Sequence, residues 1–345
     1  MTAKVRFYGS SRCRLRSATA LCRSVLEASA RRMVMGPRRA GWNWFMELGT
    51  QVLKRQLAVA FATRDLNEAR RYLDSIVVES PISGFNITQV LHKQFGGAWF
   101  ASRDTETGPT LLYFHGGGYS FYPKAYVPFI TMIAWAAKSR TFALDYRLSP
   151  EHRFPAQLED ALNAYRWLLE IGTHPDDLIL AGDSAGGNLT LALLLAARDT
   201  HLPLPALAVA LSPATDSGYA GIDDNQSTDW IDKRMLDRWR DWFCDSDQRR
   251  NPLVSPVLAD LRGLPPIYIQ AGRAEILHDS IRTFADCARS QGVDVVLETW
   301  EDMNHDFQMF GPDVPQSAEA LRRLGEVIHA RVRRRHPEAV SATDS

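Results

Sequence analysis

The chain has 345 residues, 45% apolar and 23% charged, and its 40 basic and 40 acidic side chains leave no net charge. That length buries a large core, as one large domain or two modest ones, and the balanced charge argues against a nucleic-acid binder. No apolar run approaches the roughly 18 residues needed to span a membrane.

The first 40 residues carry ten Lys or Arg and a single acid, Glu27. Leu15 to Leu26 is broken by Arg16, Ser17 and Arg23, so it lacks the continuous apolar stretch of a secretory signal. The expectation for residues 1–40 is a poorly ordered basic extension. Residues 42 to 75 read as helical, with Trp44, Leu48, Val52, Leu53, Leu57 and Phe61 at three- and four-residue spacing. Thr88 to His92 and Ala98 to Ala101 are short strand candidates on either side of a Gly96-Gly97 turn signal.

From Thr110 the pattern alternates. Leu111–Phe114, Thr141–Leu144, Leu178–Ala181, Leu207–Leu211, Ile267–Gln270 and Val293–Thr299 are short apolar runs of the buried-strand kind. Helical patterns lie among them at Tyr126–Lys138, Pro155–Glu170, Gly187–Arg198 and Asp279–Gln291, and a last one covers Gln316 to Arg334. This alternation predicts an α/β fold with a mostly parallel central sheet flanked by helices. Residues 215 to 250 break the pattern. They are polar and acidic, punctuated by Trp230, Met235, Trp239, Trp242 and Phe243, and read as a helical insertion. Residues 335–345 read as a polar tail. The four cysteines, Cys13, Cys22, Cys244 and Cys287, form no CxxC pair. Reduced thiols in a cytoplasmic protein are expected, with no metal site.

Two motifs carry chemistry. Gly182-Asp183-Ser184-Ala185-Gly186 has the G-x-S-x-G form of a nucleophile elbow, with a strand entering it and a helix leaving. A serine on so tight a turn takes a strained backbone, and neighbours with a Cβ clash. The helix start favours negative charge developing beside Ser184. His115-Gly116-Gly117-Gly118 directly follows the strand at Leu111–Phe114. Successive glycines there free backbone N–H groups to face an oxyanion.

A serine nucleophile needs a base, and the base needs an orienting acid. Of the histidines downstream, His305 lies in the loop after the last strand, where such sheets build ligand sites. The acid should follow the strand at Ile267–Gln270, where Glu275 and Asp279 are both candidates. Asp279 is equally suited to cap the helix that follows.

HGGG at 115–118, GDSAGG at 182–187 and DYRLSPEHRFPA at 145–156 together resemble the hormone-sensitive-lipase-like branch of the α/β-hydrolases. The resemblance runs from about residue 85 to 330. It implies a bacterial-type serine carboxylesterase with Ser184 as nucleophile, His305 as base and the N–H groups of Gly117, Gly118 and Ala185 as oxyanion hole. It also implies Glu275 as the acid, since Glu275-Ile276-Leu277-His278-Asp279 fits the frame in which the family's acid precedes a Pro-Leu pair and a second acid. The family's usual acid is Asp, and Gly is frequent where this chain has Asp306, so both positions depart from the pattern. His115 and the 145–156 motif are implied to be structural.

The implied organisation is a catalytic domain of residues 81–214 and 251–334. A helical cap over the site would come from residues 41–80 and the insertion at 215–250. Trp42, Trp44, Phe45, Trp230, Trp239 and Trp242 are candidates to line a substrate pocket for short or medium acyl chains, or else to pack the cap's own core. No cofactor is implied. The partner expected is a small ester, with no nucleic acid and no membrane span, and the resemblance suggests a homodimer. An acyltransferase would use the same acyl-enzyme, and a non-catalytic binding protein on this scaffold would usually lack a triad member.

Overall fold

The computed structural model describes residues 4–79, 82–105, 108–218, 222 and 228–335. The strands are β1 (Val5–Phe7), β2 (Ile76–Val78), β3 (Asn86–Leu91), β4 (Gly96–Ala101), β5 (Thr110–Phe114), β6 (Arg140–Asp145), β7 (Leu178–Asp183), β8 (Leu207–Leu211), β9 (Ile267–Gly272) and β10 (Val295–Trp300). The helices are α1 (Ser11–Met35), α2 (Trp44–Ala62), α3 (Leu66–Leu73), α4 (Tyr126–Ala136), α5 (Ala156–Glu170), α6 (Ser184–Asp199), α7 (Lys233–Phe243), α8 (His278–Ser290) and α9 (Pro315–Arg335).

Eight strands form one sheet in the order β10-β9-β8-β7-β5-β6-β4-β3. β6, β5, β7, β8, β9 and β10 pair in parallel, and β4 runs against both its neighbours. The central strands β5, β7, β8 and β9 are buried along their whole length, as a sheet covered on both faces requires. The period of two sends Leu112 and Phe114 into the core on one face of the sheet, and Leu111 and Tyr113 into the core on the other.

The strand–helix alternation thus appears where the sequence pattern puts it, with three local differences. Gly96 and Gly97 lie inside β4, and the hairpin turns at His92–Phe95, where the His92 N–H donates to the Phe95 carbonyl. Gly97 is required by close approach, because a Cβ there would stand 2.4 Å from Phe142 Cζ on the neighbouring strand. The helical stretch 42–75 is two helices, broken before Asp65, whose carboxylate caps α3 by accepting from the N–H groups of Asn67 and Glu68.

The third difference is the N-terminus. The expected poorly ordered extension is instead the 25-residue helix α1, capped by Ser10. Its buried side is Ser17, Ala20, Ser24 and Ala28, a stripe of small residues at helical spacing. Small residues add little to an apolar periodicity scan, which is why the arginines dominate the reading, yet they let α1 pack closely on α2. Ser17 and Ser75 share a hydrogen bond, and Arg32 pairs with the buried Glu47 of α2. Of the insertion, residues 219–221 and 223–227 lie outside the described residues, as does the polar tail from 336. No helix among the described residues is long and apolar enough to cross a membrane. All four cysteines are free thiols.

The start of α2 is tied to the loop after β10. Trp42 Nε1–H donates to the Asp302 carbonyl at 2.6 Å, the Gly41 N–H donates to the Asp302 carboxylate, and Asn304 donates to Thr50 Oγ1. Trp42 also packs with Met46, Met303, Phe307 and Val314. Trp42→Ala removes both the ring and the bond, and should cost about 3–5 kcal/mol of unfolding free energy. Denaturant titration checks this. A loss below about 1 kcal/mol would mean the loop is held by other contacts.

Candidate active site

The site forms at the C-terminal ends of β5, β7, β8, β9 and β10. β7 ends at Asp183, and Ser184 opens α6 with φ of +51°, a left-handed backbone that few non-glycine residues adopt. The end of β5, the parallel neighbour of β7, approaches this turn closely. A Cβ on Gly186 would lie 1.9 Å from the Phe114 carbonyl oxygen, so glycine is the side chain that fits there. The Ala185 N–H lies in the first turn of α6, where no residue four back in the helix accepts it.

The residue between Gly182 and Ser184 does work that the motif's variable position conceals. Asp183 is fully buried and accepts from Tyr113 Oη at 2.5 Å, Tyr126 Oη at 3.0 Å and the Gly116 N–H at 3.0 Å. Its carboxyl therefore joins the elbow to the glycine loop after β5. Burial pushes it up to about 6, against the pull of those three donors. Gly117 and Gly118 follow at φ of +91° and +60°. A Cβ on Gly118 would meet the Trp239 ring at 2.3 Å, so this loop is covered directly by α7. His115 is sandwiched between the rings of Tyr122 and Tyr146, at 3.7 and 4.1 Å. Burial lowers its pKa to about 3, and its Nδ1 lies 2.7 Å from the Gly116 carbonyl. These contacts hold the ring against the glycine loop.

His305 Nε2 lies 2.9 Å from Ser184 Oγ. On the other side of the ring, Nδ1 faces Glu275 Oε1 at 4.0 Å. Both residues are buried. The other carboxylate oxygen of Glu275 is held by Ser212 Oγ–H at 2.6 Å and the Gly272 N–H at 2.9 Å. Asp279 does not join this cluster. Its side chain is 67% exposed at the start of α8 and sits beside His278 and Arg282.

Three further residues converge here. Ser212, just past β8, orients Glu275. Asp229, from the insertion, accepts from the N–H groups of Ile276 and His305, so one carboxyl ties the acid's loop to the base's loop. Asp306 adopts φ of +48°, the backbone that explains why glycine suits this position. Its Oδ2 lies 3.3 Å from His305 Nε2. Asp183 was legible as part of the elbow motif. Ser212 and Asp229 carry no local signal, since only the fold brings them to the ring.

The environment is dry. Burial lowers the His305 imidazole to about 3. Burial raises the Glu275 carboxyl well above its usual range, partly offset by the bonds from Ser212 and Gly272. Asp306 is raised by burial and by repulsion from Asp183, Glu275 and Asp229. Burial thus disfavours charge on each of these groups, and Asp306 is disfavoured further as an anion by its acidic neighbours.

A small cavity of about 50 Å³ opens beside Ser184 and Ala185, walled by Gly118, Leu236, Trp239, Phe243, Val254 and Leu277 among others. Of the tryptophans expected to line it, Trp239 does. Trp42 is instead a core residue bracing the His305 loop. Trp44 bonds Ser29 of α1 and packs edge-on to Phe45, so it serves the contact between α1 and α2. Trp230 donates from Nε1 to the His305 carbonyl at 2.6 Å, with its ring 5.3 Å from the imidazole. Trp242 stacks on Phe61 of α2. These indoles are placed by their N–H partners and by helix contacts that sequence spacing does not register. No three His, Cys, Asp or Glu side chains among the described residues are placed to hold one metal ion together.

A family model described as alpha/beta hydrolase fold matches residues 111–309. The chain is 39% identical over 227 residues to an acetyl-hydrolase of Streptomyces hygroscopicus, covering 65% of this chain and 76% of that protein. It is 32% identical over 238 residues to the carboxylesterase NlhH of Mycobacterium tuberculosis, covering 64% and 75%. Among solved structures it is similar to EstE5 soaked with p-nitrophenyl butyrate, with a TM-score of 0.77 at 31% identity, covering 84% of this chain and 99% of that one. An esterase from the bacterial hormone-sensitive lipase family gives a TM-score of 0.72 at 31% identity, covering 91% and 98%.

Two outcomes follow from this geometry. An imidazole accepts a proton in its neutral form, and the lowered pKa of His305 keeps it neutral further into acid. The acid limb of kcat/KM should therefore lie below the ordinary histidine value of about 6.5. A limb at or above that value would show that an ionised carboxylate beside the ring outweighs burial. Ser212→Ala removes one of the two bonds that hold Glu275 Oε2 and should lower kcat/KM about tenfold, the equivalent of roughly one hydrogen bond. Unchanged kinetics would remove Ser212 from the arrangement.

Proposed function

The chain belongs to the α/β-hydrolase family, in its hormone-sensitive-lipase-like branch, and is a carboxylic-ester hydrolase; from that premise we propose that it works through a Ser184–His305–Glu275 triad and an acyl-enzyme. The single observation that carries the proposal is the 2.9 Å contact between Ser184 Oγ and His305 Nε2 at the strained turn from β7 into α6.

His305 Nε2 takes the Ser184 proton as Oγ attacks the ester carbonyl. The oxyanion that forms accepts from the N–H groups of Gly117, Gly118 and Ala185. The imidazolium is then flanked by Glu275, whose approach to Nδ1 tightens from 4.0 Å as positive charge develops. His305 returns its proton to the leaving alkoxide. Water, activated by the same imidazole, releases the acid and regenerates Ser184. Losing one oxyanion donor typically costs about 10²–10³ in turnover.

Helices α1 to α3 and α7 are proposed as the cap. Arg238 of α7 donates to the Phe61 carbonyl of α2, and Phe61 also packs edge-on to Trp239 beside the cavity. The preferred acyl group is short. A cavity of about 50 Å³ is only a few times the roughly 10–15 Å³ that one water requires.

A series of p-nitrophenyl esters from acetate to decanoate tests the reading. Turnover should be highest from acetate to butyrate and at least about tenfold lower at octanoate and beyond. Ser184→Ala should lower it by at least about 10³. Unchanged hydrolysis in that variant would overturn the nucleophile. Glu275→Gln should impair turnover while Asp279→Asn spares it, and the reverse result would reassign the acid.

A further inference from the structure

The cavity beside Ser184 contains polar atoms, and most of them are already spent. Asn188 accepts from Tyr119 Oη at 2.6 Å, and its amide donates to the carbonyls of Ala214 at 2.6 Å and Val254 at 3.1 Å. Ser217 Oγ–H donates to the Arg249 carbonyl, and the same oxygen accepts from Ser255. Arg240 is bound to Asp237 at 2.9 Å. The remaining wall is Leu236, Phe243, Val254 and Leu277, which offer no side-chain hydrogen bond.

Trp239 differs. It is 7% exposed and lines this cavity, yet its Nε1–H has no hydrogen-bond partner. A buried donor left without an acceptor costs about 1–3 kcal/mol. The ring stands against the glycine loop, with Cδ2, Cγ and Cδ1 at 2.3, 2.3 and 2.4 Å from where a Gly118 Cβ would stand, and Nε1 belongs to that same five-membered ring. Trp42 and Trp230 each find a carbonyl for the indole N–H; Trp300 Nε1–H, like that of Trp239, does not, but of these two only Trp239 lines the cavity.

We propose that Trp239 Nε1–H is a specificity donor, so that this hydrolase favours short esters carrying a second acceptor oxygen, ether, hydroxyl or keto, in addition to the ester group. The inference rests on the esterase reading above. A substrate with that oxygen satisfies the orphan N–H. A purely hydrocarbon chain of the same size fills the cavity and leaves the N–H unpaired, and this unpaired buried group is the source of the discrimination.

Matched esters differing by one CH₂-to-oxygen exchange test it. On the acyl side, p-nitrophenyl methoxyacetate is compared with p-nitrophenyl butyrate. On the alcohol side, 2-methoxyethyl butyrate is compared with butyl butyrate. The readout is the ratio of kcat/KM, ether to hydrocarbon, in the wild type and in Trp239→Phe, so the intrinsic reactivities of the esters cancel. The ratio should fall about tenfold in the variant on at least one side, and the side on which it falls says whether the acyl or the alcohol group meets Trp239. Replacing Trp239 with benzothienylalanine, which exchanges the N–H for sulfur and keeps the ring shape, should reproduce the fall if Trp239→Phe folds poorly. A ratio unchanged on both sides, in whichever variant folds, overturns the proposal. Failure of the wild type to hydrolyse any of the four esters would instead overturn the esterase reading.

Discussion

Burial of one carboxyl beneath the turn from β7 to α6 governs how the rest of this site is arranged. Asp183 has no solvent around it, so its oxygens must be satisfied by protein donors, and the donors available come from β5, α4 and the glycine loop. Meeting that need fixes the loop at 115–118 relative to Ser184. The groups that would stabilise an oxyanion and the group that would attack are thus held by a common anchor. The close crossing of Gly186 over the Phe114 carbonyl reinforces the same registration from below.

His305 is secured differently. His305 stands on a loop with little regular structure of its own, and three separate parts of the chain hold it. Trp42 and Gly41 bond Asp302, Asn304 bonds Thr50, and Asp229 and Trp230 bond the backbone of His305 itself. The N-terminal helices therefore brace the base loop as well as lying in the proposed cap. This double duty explains why aromatic residues that look alike in sequence have such different fates. An indole is a large apolar plate with one donor, and its place is decided by where that donor finds an acceptor. Trp42 and Trp230 found theirs on the base loop, Trp44 on α1, and Trp239 alone among these four remains at the cavity with its donor unspent.

The packing of charge follows from the same dryness. Glu275, Asp306 and Asp229 are buried beside His305, and Asp183 is buried at the neighbouring turn. Each is favoured in its neutral form by burial, and those nearest one another are favoured further by repulsion. A carboxylate at Glu275 gains most when positive charge stands on the His305 ring beside it.

How much of this the amino-acid sequence determined depends on the range of the interaction concerned. The strand–helix alternation, the Ser184 turn and the glycine run after β5 are local, written in apolar periodicity and in glycines that a crossing backbone demands, and they are legible residue by residue. The family frame around Glu275 is legible in the same way. Helix α1 was hidden because it packs through Ser17, Ala20, Ser24 and Ala28, small side chains whose contribution is close approach rather than hydrophobicity. Only the tertiary structure decided that Asp229 and Ser212 reach the base and acid, that Asp279 faces solvent, and that Trp42 braces a loop while Trp239 walls the cavity. Those assignments rest on hydrogen-bond partners tens to hundreds of residues away, and no local pattern encodes which distant carbonyl a buried donor will meet. Around Ser184 itself, the chain wrote the strained turn locally and left its chemistry to be completed by the fold.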